Sequence, residues 1–221
     1  MNVASYIDHT ILKPTTVTAD VIRVCNEALE HKFAAVCIPP PFVKAARQFL
    51  KSNDVKVATV IGFPFGYCAT AAKLAEVIRA LEDGADELDV VINLSSVKMG
   101  LWNEIEPELM QLITPVHENG KIVKVIIESG VLTDEEIITC CRICAELGAD
   151  FVKTSTGYAE TGATLAAVQL MRANLPSHIR IKASGGIRTY EAAKAYIDAG
   201  AERIGCSTII KQQSADQWAD Y

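Results

Sequence analysis

Short apolar segments alternate with amphipathic segments along almost the whole chain. Apolar runs bounded by glycine, proline or charged residues are typical of buried strands. Between these runs, apolar residues recur at the spacing that lines one face of a helix, as in Ala71, Leu74, Val77, Ile78 and Leu81. We predict eight strands, at residues 7–10, 34–38, 56–61, 87–91, 122–127, 151–153, 180–183 and 203–205.

Strand followed by helix, repeated eight times, is the pattern of a closed parallel barrel. A weak repeat supports this reading, since Gly84, Gly148 and Gly200 each precede Ala-Asp or Ala-Glu between a helix and a strand, and glycine is favoured at a left-handed helix end. An open doubly wound sheet would alternate in the same way, but no G-x-G-x-x-G motif opens a helix. We therefore predict an α/β fold, a single-domain (β/α)8 TIM barrel over residues 1–221 with a polar tail from about residue 212.

Composition narrows the class of protein further. Half of the residues are hydrophobic and 22% are charged, which indicates a folded domain with strands buried on both faces. The net charge of -6 argues against broad binding to nucleic acid or anionic membranes. The longest uncharged stretch, residues 57–72, is too short to span a bilayer, and the N-terminus lacks the basic region of a signal peptide. Seven cysteines, an odd number, are typical of a reducing cytosol, so we expect a cytoplasmic protein.

Two predicted strands carry a lysine at a buried position. Lys153 and Lys182 each stand within an apolar strand that is followed by glycine, at Gly157 and at Gly185. Two ammonium groups ~4 Å apart repel by about 4 kcal/mol at an effective dielectric constant near 20. That repulsion favours the neutral form of one amine near neutral pH, and a neutral amine is a nucleophile.

Side chains of one parity point into a barrel, and charged residues within strands are unfavourable against the apolar helices outside. We therefore expect the charged parity to face inward. Three lysines and at least two carboxylates would then share one pocket, in which Asp89 is positioned to relay protons. The inward set beside Lys153 and Lys182 is Asp8, Thr10, Glu87, Asp89, Lys124, Glu128, Ser155 and Ser184. The alternative is that these charges only compensate one another in a polar barrel core.

The loops after the last three predicted strands are rich in glycine. They contain Gly157, then Gly185 and Gly186, then Gly205 with Ser207. Backbone N–H groups at the start of helices in this part of a barrel bind phosphate, and Arg188 adds a positive charge. Each glycine taken alone is also explained by a turn.

The remaining candidates are weaker. Cys37 ends the second strand and is either a thiol at the pocket rim or a small core residue. The cysteines at 140, 141 and 144 lie within a helix, and the four histidines show no ligand spacing, so we expect no metal site.

Five segments of the chain resemble deoxyribose-phosphate aldolases, and the resemblance covers essentially the whole chain in order. The segment Lys153-Thr154-Ser155-Thr156-Gly157 is highly specific for that family. The other segments are residues 6–10 with 12–14, 87–93, 124–128 and 182–188.

The resemblance implies a class I aldolase that reversibly cleaves 2-deoxy-D-ribose 5-phosphate into acetaldehyde and D-glyceraldehyde 3-phosphate, without metal or cofactor. It implies that Lys153 forms a Schiff base, that Lys182 lowers the pKa of Lys153, and that Asp89 relays protons. The residues themselves do not rank Lys153 above Lys182 as the nucleophile. Asp8, Thr10, Glu87, Lys124 and Thr156 are the implied supporting residues of the pocket.

The resemblance also implies that the glycine loops, Arg188 and Ser207 hold the substrate phosphate. Some family members carry a lysine directly after the position of Gly157, where this chain has Tyr158, so one cationic phosphate contact is absent. Some end in a tyrosine that folds over the pocket, a role that would fall to Tyr221. Barrels of this type often pair, so we expect a homodimer. The rival functions are a phosphosugar isomerase, another imine-forming aldolase, and a barrel that only binds phosphorylated sugars.

Overall fold

The computed structural model describes residues 2–51 and 53–207. Its strands are β1 (Ile7–Thr10), β2 (Ala35–Ile38), β3 (Lys56–Ile61), β4 (Glu87–Val91), β5 (Ile122–Ile126), β6 (Phe151–Lys153), β7 (Arg180–Ser184) and β8 (Arg203–Cys206). Each strand pairs in parallel with the next, and β8 pairs with β1 to close the barrel. The predicted (β/α)8 barrel is confirmed. Four predicted strands have the observed bounds, and the other four differ by one residue at one end.

Helices surround the barrel on the outside. They are α1 (Thr18–His31), α2 (Val43–Phe49), α3 (Thr70–Glu82), α4 (Leu94–Lys98), α5 (Trp102–Glu118), α6 (Asp134–Glu146), α7 (Leu165–Asn174) and α8 (Tyr190–Asp198). Short 3-10 helices lie at Val3–Tyr6, Pro40–Phe42 and Ser129–Val131. Two helices, α4 and α5, follow β4, whereas the helix predicted after the eighth strand lies outside the described residues. No helix in the described ranges is long and apolar enough to cross a bilayer.

The main hydrophobic core lies between the barrel and the helices. In β4 the apolar Leu88 and Val90 belong to this core, together with Val77 of α3 and Leu109 of α5. Burying such a side chain contributes roughly 1.5–3 kcal/mol. The alternate residues of the same strand carry carboxylates and are equally buried, so strand parity separates an apolar outer layer from a charged interior.

The barrel interior has two different halves. Beside β2 and β3 it is filled by a small apolar cluster of Ala35, Cys37, Ala58 and Val60. The other strands contribute buried acidic and basic side chains. Because isolated charges are expensive to bury, these side chains must compensate one another.

Candidate active site

Two lysines meet inside the barrel. Lys153 of β6 and Lys182 of β7 are register partners, so their side chains leave neighbouring strands at the same height. The Nζ atoms of Lys153 and Lys182 each lie 2.7 Å from Oδ2 of Asp89. The two nitrogens are therefore separated by no more than twice that distance. The structure brings together the three residues that the sequence singled out.

Asp89 accepts hydrogen bonds from a third lysine as well. The Nζ atom of Lys124 lies 2.9 Å from Oδ1 of Asp89, while Lys182 also donates to Asp8. Asp89 is completely buried, and three amines surround its carboxylate. Burial alone would raise the pKa of Asp89, but Lys124, Lys153 and Lys182 together hold this pKa well below its usual range. Asp89 is accordingly ionised.

A further layer of charge joins this cluster. Glu87 forms an ion pair with Lys124, whose Nζ lies 2.5 Å from Oε2 of Glu87, and another with Arg203 of β8. Glu87 is one of the residues predicted from the sequence, and Arg203 is not. The signal was present, because Arg203 and Gly205 have the same strand parity as Lys182 and Ser184 in the neighbouring strand.

The two central lysines differ in their ionisation. Burial lowers the pKa of Lys182, but Asp8 and Asp89 raise it further, and the net effect is a pKa above the ordinary value. For Lys153 burial is again the largest influence on the pKa, and it lowers it. Repulsion from Lys182 also lowers the pKa, and together they outweigh the attraction of Asp89, which raises it. The pKa of Lys153 is therefore lowered. Like-charge repulsion, which the sequence analysis treated as the main cause, has the expected sign but ranks below burial.

A cavity of about 420 Å³ opens above this cluster at the C-terminal ends of the strands. Among the lysines of the cluster, Lys153 lines the cavity, whereas Lys124 and Lys182 are completely buried below it. Thr10 and Thr156 also contribute to the wall. The geometry thus ranks the two central lysines, since the amine with the lowered pKa is the one that reaches the open space.

The predicted phosphate residues lie on the same cavity. Its wall includes Gly157, Gly185, Gly186, Arg188, Gly205 and Ser207. Gly185 has a φ of 90°, and a Cβ on Gly162 would lie 2.3 Å from the Gly185 carbonyl oxygen, so two loops pack backbone against backbone at this point. The following helix α8 begins beside them, where Thr189 caps its N-terminus by accepting from the Ala192 N–H. A helix N-terminus is favourable for an anion.

Two cations on the cavity wall were missed by the sequence analysis, namely Lys13 and Arg23. Lys13 lies on the loop after β1 and Arg23 on α1, positions at which a charged residue looks like ordinary surface. Tyr158 lies at the same wall, where its hydroxyl donates to the Leu12 carbonyl oxygen at 2.7 Å and its ring packs edge-on against Phe63. Tyr158 therefore joins two loops at the cavity wall.

Glu128 supports the cavity from the side. Strand parity predicts an inward position for Glu128 on the fifth strand. The strand instead ends at Ile126, and Glu128 adopts a left-handed conformation with φ of 54°. Its carboxylate accepts from the N–H of Thr156 at 3.2 Å and from the Thr156 hydroxyl. Burial raises the pKa of Glu128. Glu128 thus fixes Thr156 rather than joining the lysine cluster directly.

The two weakest candidates have different outcomes. Cys37 is buried in the apolar half of the interior, and burial raises the pKa of its thiol. Cys37 is not part of the cavity wall, so the structure favours the small core residue over the thiol at the pocket rim. Tyr221 lies outside the described residues.

Active sites of (β/α)8 enzymes lie at the C-terminal ends of the strands, where Lys153 and the cavity are found. A buried lysine with a lowered pKa and access to a cavity can attack a carbonyl group. The fold and the site together are those of a barrel enzyme in which a lysine is available for catalysis. Comparison with known proteins then gives the family, because the model of the DeoC/LacD family aldolases matches residues 2–211. The chain belongs to this family.

Individual relatives resemble the chain over almost their whole length. The deoxyribose-phosphate aldolase of Thermococcus gammatolerans is 50% identical over 213 residues, which cover 96% of this chain and 95% of the relative. The deoxyribose-phosphate aldolase of Caldanaerobacter subterraneus subsp. tengcongensis is 49% identical over 212 residues, which cover 96% of this chain and 92% of the relative. The solved tetrameric structure of deoxyribose phosphate aldolase from Aeropyrum pernix is 33% identical, covers 93% of this chain and 87% of that one, and superposes with a TM-score of 0.87.

Proposed function

We propose that this protein is a deoxyribose-phosphate aldolase that reversibly cleaves 2-deoxy-D-ribose 5-phosphate into acetaldehyde and D-glyceraldehyde 3-phosphate. The family and the names of the relatives support the reaction. The observation that carries the proposal is the environment of Lys153, a buried amine that pairs with Asp89 and lines the cavity. Lys153 is the proposed Schiff-base former.

Cleavage begins when the neutral Nζ of Lys153 attacks the aldehyde carbon of the open-chain sugar. Loss of water from the carbinolamine gives an iminium ion, which is the electron sink. Lys182 is protonated before this step and supplies the proton that the departing oxygen needs, while ionised Asp89, which contacts both lysine nitrogens, provides the path between them.

The bond between C2 and C3 then breaks. Lys182, which gave up its proton in the loss of water, takes the proton of the C3 hydroxyl through water held with Asp89. C3 becomes the aldehyde of D-glyceraldehyde 3-phosphate, and the electron pair of the bond enters the iminium to form an enamine. Protonation of the enamine carbon and hydrolysis of the resulting imine release acetaldehyde and restore Lys153. Atoms and protons balance without a metal or cofactor.

We propose that the glycine loops hold the substrate phosphate, with Arg188 as the charged contact and Ser207 as a hydroxyl donor. The support is that these residues line the same cavity as Lys153. Binding the phosphate away from the reacting carbon uses its binding energy to hold the aldehyde against the amine. Thr10 and Thr156 would contact the sugar between these two ends.

Borohydride reduction tests the proposed function. The protein is incubated with 2-deoxy-D-ribose 5-phosphate and sodium borohydride, digested, and mapped by mass spectrometry, with Lys153→Arg as the matched control. We expect a stable adduct on the peptide that contains Lys153, and none in the control. Turnover without an adduct would indicate an isomerase, and binding without turnover would indicate a sugar-phosphate binding protein.

We also propose that the chain forms a homodimer in the cytoplasm. The Aeropyrum pernix relative is described as tetrameric, which supports self-association in the family without fixing the number of subunits. No disulfide joins any of the seven cysteines, all of which lie in the described ranges, and this supports the proposal of a reducing compartment. Light scattering coupled to gel filtration measures the mass in solution, and a monomer of 23.9 kDa would contradict the dimer.

A further inference from the structure

Ion pairs join seven buried side chains inside the barrel, of which three are carboxylates and four are basic. They are Asp8, Glu87, Asp89, Lys124, Lys153, Lys182 and Arg203. If Lys153 is uncharged, three carboxylates face three cations and the cluster has no net charge. If Lys153 is protonated, one excess positive charge lies buried in a medium of low dielectric constant, which is unfavourable.

Arg203 provides one of the three balancing cations. Its NH1 donates to Oδ1 of Asp8 at 2.6 Å and to Oε2 of Glu87 at 3.0 Å, and its NH2 donates to Oε1 of Glu87 at 3.2 Å. The guanidinium carbon lies 5.4 Å from the centre of the Phe151 ring. A guanidinium keeps its charge at every pH at which the protein is folded, so this cation is permanent.

Arg203 is remote from the reacting atoms. Within the described ranges no hydrogen bond or ion pair joins it to Lys153, and it is not part of the cavity wall. It acts on the site through Asp8, which also contacts Lys182, and through Glu87, which also contacts Lys124.

We propose that Arg203 is a positioning residue that completes the charge balance of the barrel interior and thereby leaves Lys153 as the uncharged amine. This inference rests on the proposed function, in which Lys153 is the nucleophile. If Arg203 is removed, three carboxylates face two fixed cations, and the cluster gains from taking up one proton.

Lys153 is the site at which that proton would bind. Lys182 pairs with two carboxylates and Lys124 with three, so both already hold their protons. Lys153 pairs with Asp89 alone among the carboxylates of the cluster. The loss of Arg203 therefore changes the charge of the nucleophile although the two side chains do not touch.

The other charged or titratable groups that face this interior lie outside the count. Arg180 of β7 stacks on the Phe151 ring at 4.0 Å, but it is partly exposed, and no ion pair joins it to the cluster within the described ranges. Cys37 of β2 faces the same interior, and its raised pKa keeps the thiol neutral. Glu128 follows β5 and interacts weakly with Lys153, but its carboxylate is bonded to Thr156 outside the cluster.

Variants that change the net charge of the cluster in opposite directions test the proposal. Arg203→Met removes a cation, Arg203→Lys keeps it, Glu87→Gln removes a carboxylate, and the double variant Arg203→Met with Glu87→Gln restores the balance. In Arg203→Met we expect the acid limb of the kcat/KM profile to move to higher pH by about one unit, which is about a tenfold loss of rate on that limb. In Glu87→Gln the limb moves to lower pH, and in Arg203→Lys and the double variant it stays near the wild-type position.

Carbamoylation by cyanate gives a second readout that needs no substrate, because cyanate reacts with the unprotonated amine. The rate at Lys153, read from the mass of its peptide, should fall about tenfold at neutral pH in Arg203→Met and recover in the double variant. This measurement remains informative even if the wild-type protein forms no adduct with the proposed sugar. Failure of the proposed function is therefore distinguishable from failure of the proposed role of Arg203.

Circular dichroism establishes which variants fold. If Arg203→Met does not fold, the downward shift in Glu87→Gln decides the question. The proposal is overturned if Arg203→Met loses activity with an unchanged pH profile, if Glu87→Gln leaves the acid limb in place, or if the double variant keeps the shift.

Discussion

Lys153 and Lys182 lie opposite each other on neighbouring strands and bind the same oxygen of Asp89. The shared oxygen holds the two amines close together, yet their surroundings differ. Lys182 has a second carboxylate partner in Asp8, whereas Lys153 lines the cavity. The pKa values of two chemically identical side chains are therefore shifted in opposite directions, which supports the proposed roles of Lys182 as the acid and Lys153 as the nucleophile.

Replacing the nucleophile should abolish turnover. In Lys153→Arg we expect at least about a thousandfold loss of kcat, because guanidinium cannot form an imine. The measurement is the release of acetaldehyde from 2-deoxy-D-ribose 5-phosphate by a coupled assay. Appreciable residual activity in a folded variant would show that another amine is the nucleophile.

Removing the neighbouring cation should change the pH dependence. In Lys182→Met the repulsion on Lys153 disappears, its pKa rises, and the pH–rate profile moves toward alkaline pH along with a lower maximal rate. The check is kcat/KM measured across the folded pH range. A profile that keeps its position while the rate falls would leave Lys182 with a role in proton transfer only.

The buried amine should also cost stability. Folding lowers the pKa of Lys153, so the unfolded chain binds more protons between the folded and unfolded pKa values, and stability rises with pH through that window. In Lys153→Met we expect the free energy of unfolding to rise by about 1–2 kcal/mol at neutral pH, with a smaller gain at alkaline pH.

Urea denaturation at several pH values measures this effect. Lys44→Met on the exposed face of α2 is the matched control, and we expect it to be neutral within about 0.5 kcal/mol. A destabilised Lys153→Met would indicate that the amine is mainly a structural partner of Asp89.

Phosphate recognition should depend on Arg188. In Arg188→Gln we expect KM for 2-deoxy-D-ribose 5-phosphate to rise about tenfold, while activity on unphosphorylated 2-deoxy-D-ribose changes little, since only the former carries the dianion. Arg79→Gln, an exposed substitution on α3, is the control. An equal effect on both sugars would place Arg188 in the support of the loop instead of the phosphate site.

Much of the fold and the site is predictable from local pattern. The alternation of strands and helices predicts the barrel. Strand parity selects Asp8, Asp89 and the lysines, because charged side chains within apolar strands are unfavourable against the helices and therefore face the barrel interior. Arg203 has the same signal, but its pairing with Glu87 depends on which strands face each other across the closed barrel. That relation is tertiary, and no local pattern contains it.

Other features depend on loop geometry. The left-handed turn at Glu128 redirects a side chain that strand parity places inward, and Lys13 and Arg23 reach the cavity from segments that look like surface. Gly185 and Gly186 are a similar case. The sequence shows two adjacent glycines, but it does not show which of them contacts the neighbouring loop at Gly162.

The structure separates these two glycines. A Cβ on Gly185 would lie 2.9 Å from the Cα of Gly162, whereas a Cβ on Gly186 would meet nothing within 4 Å, and both residues have φ near 90°. We expect Gly186→Ala to cost roughly 1–2 kcal/mol of stability through backbone strain. Gly185→Ala should cost more and also raise KM, because the loops must separate. Thermal unfolding and steady-state kinetics of Gly185→Ala and Gly186→Ala measure these differences. Equal losses of stability and equal KM values in the two variants would contradict the close packing at Gly185.

The most direct measurement is a titration of the lysine side chains by NMR, with ¹³C-labelled lysine and Lys153→Arg to assign the signal of Lys153. We predict that the Lys153 signal titrates below the pH at which exposed lysines do, while that of Lys182 stays protonated at the alkaline limit of the folded protein. A Lys153 signal that remains that of an ammonium group as the exposed lysines titrate would contradict the neutral nucleophile.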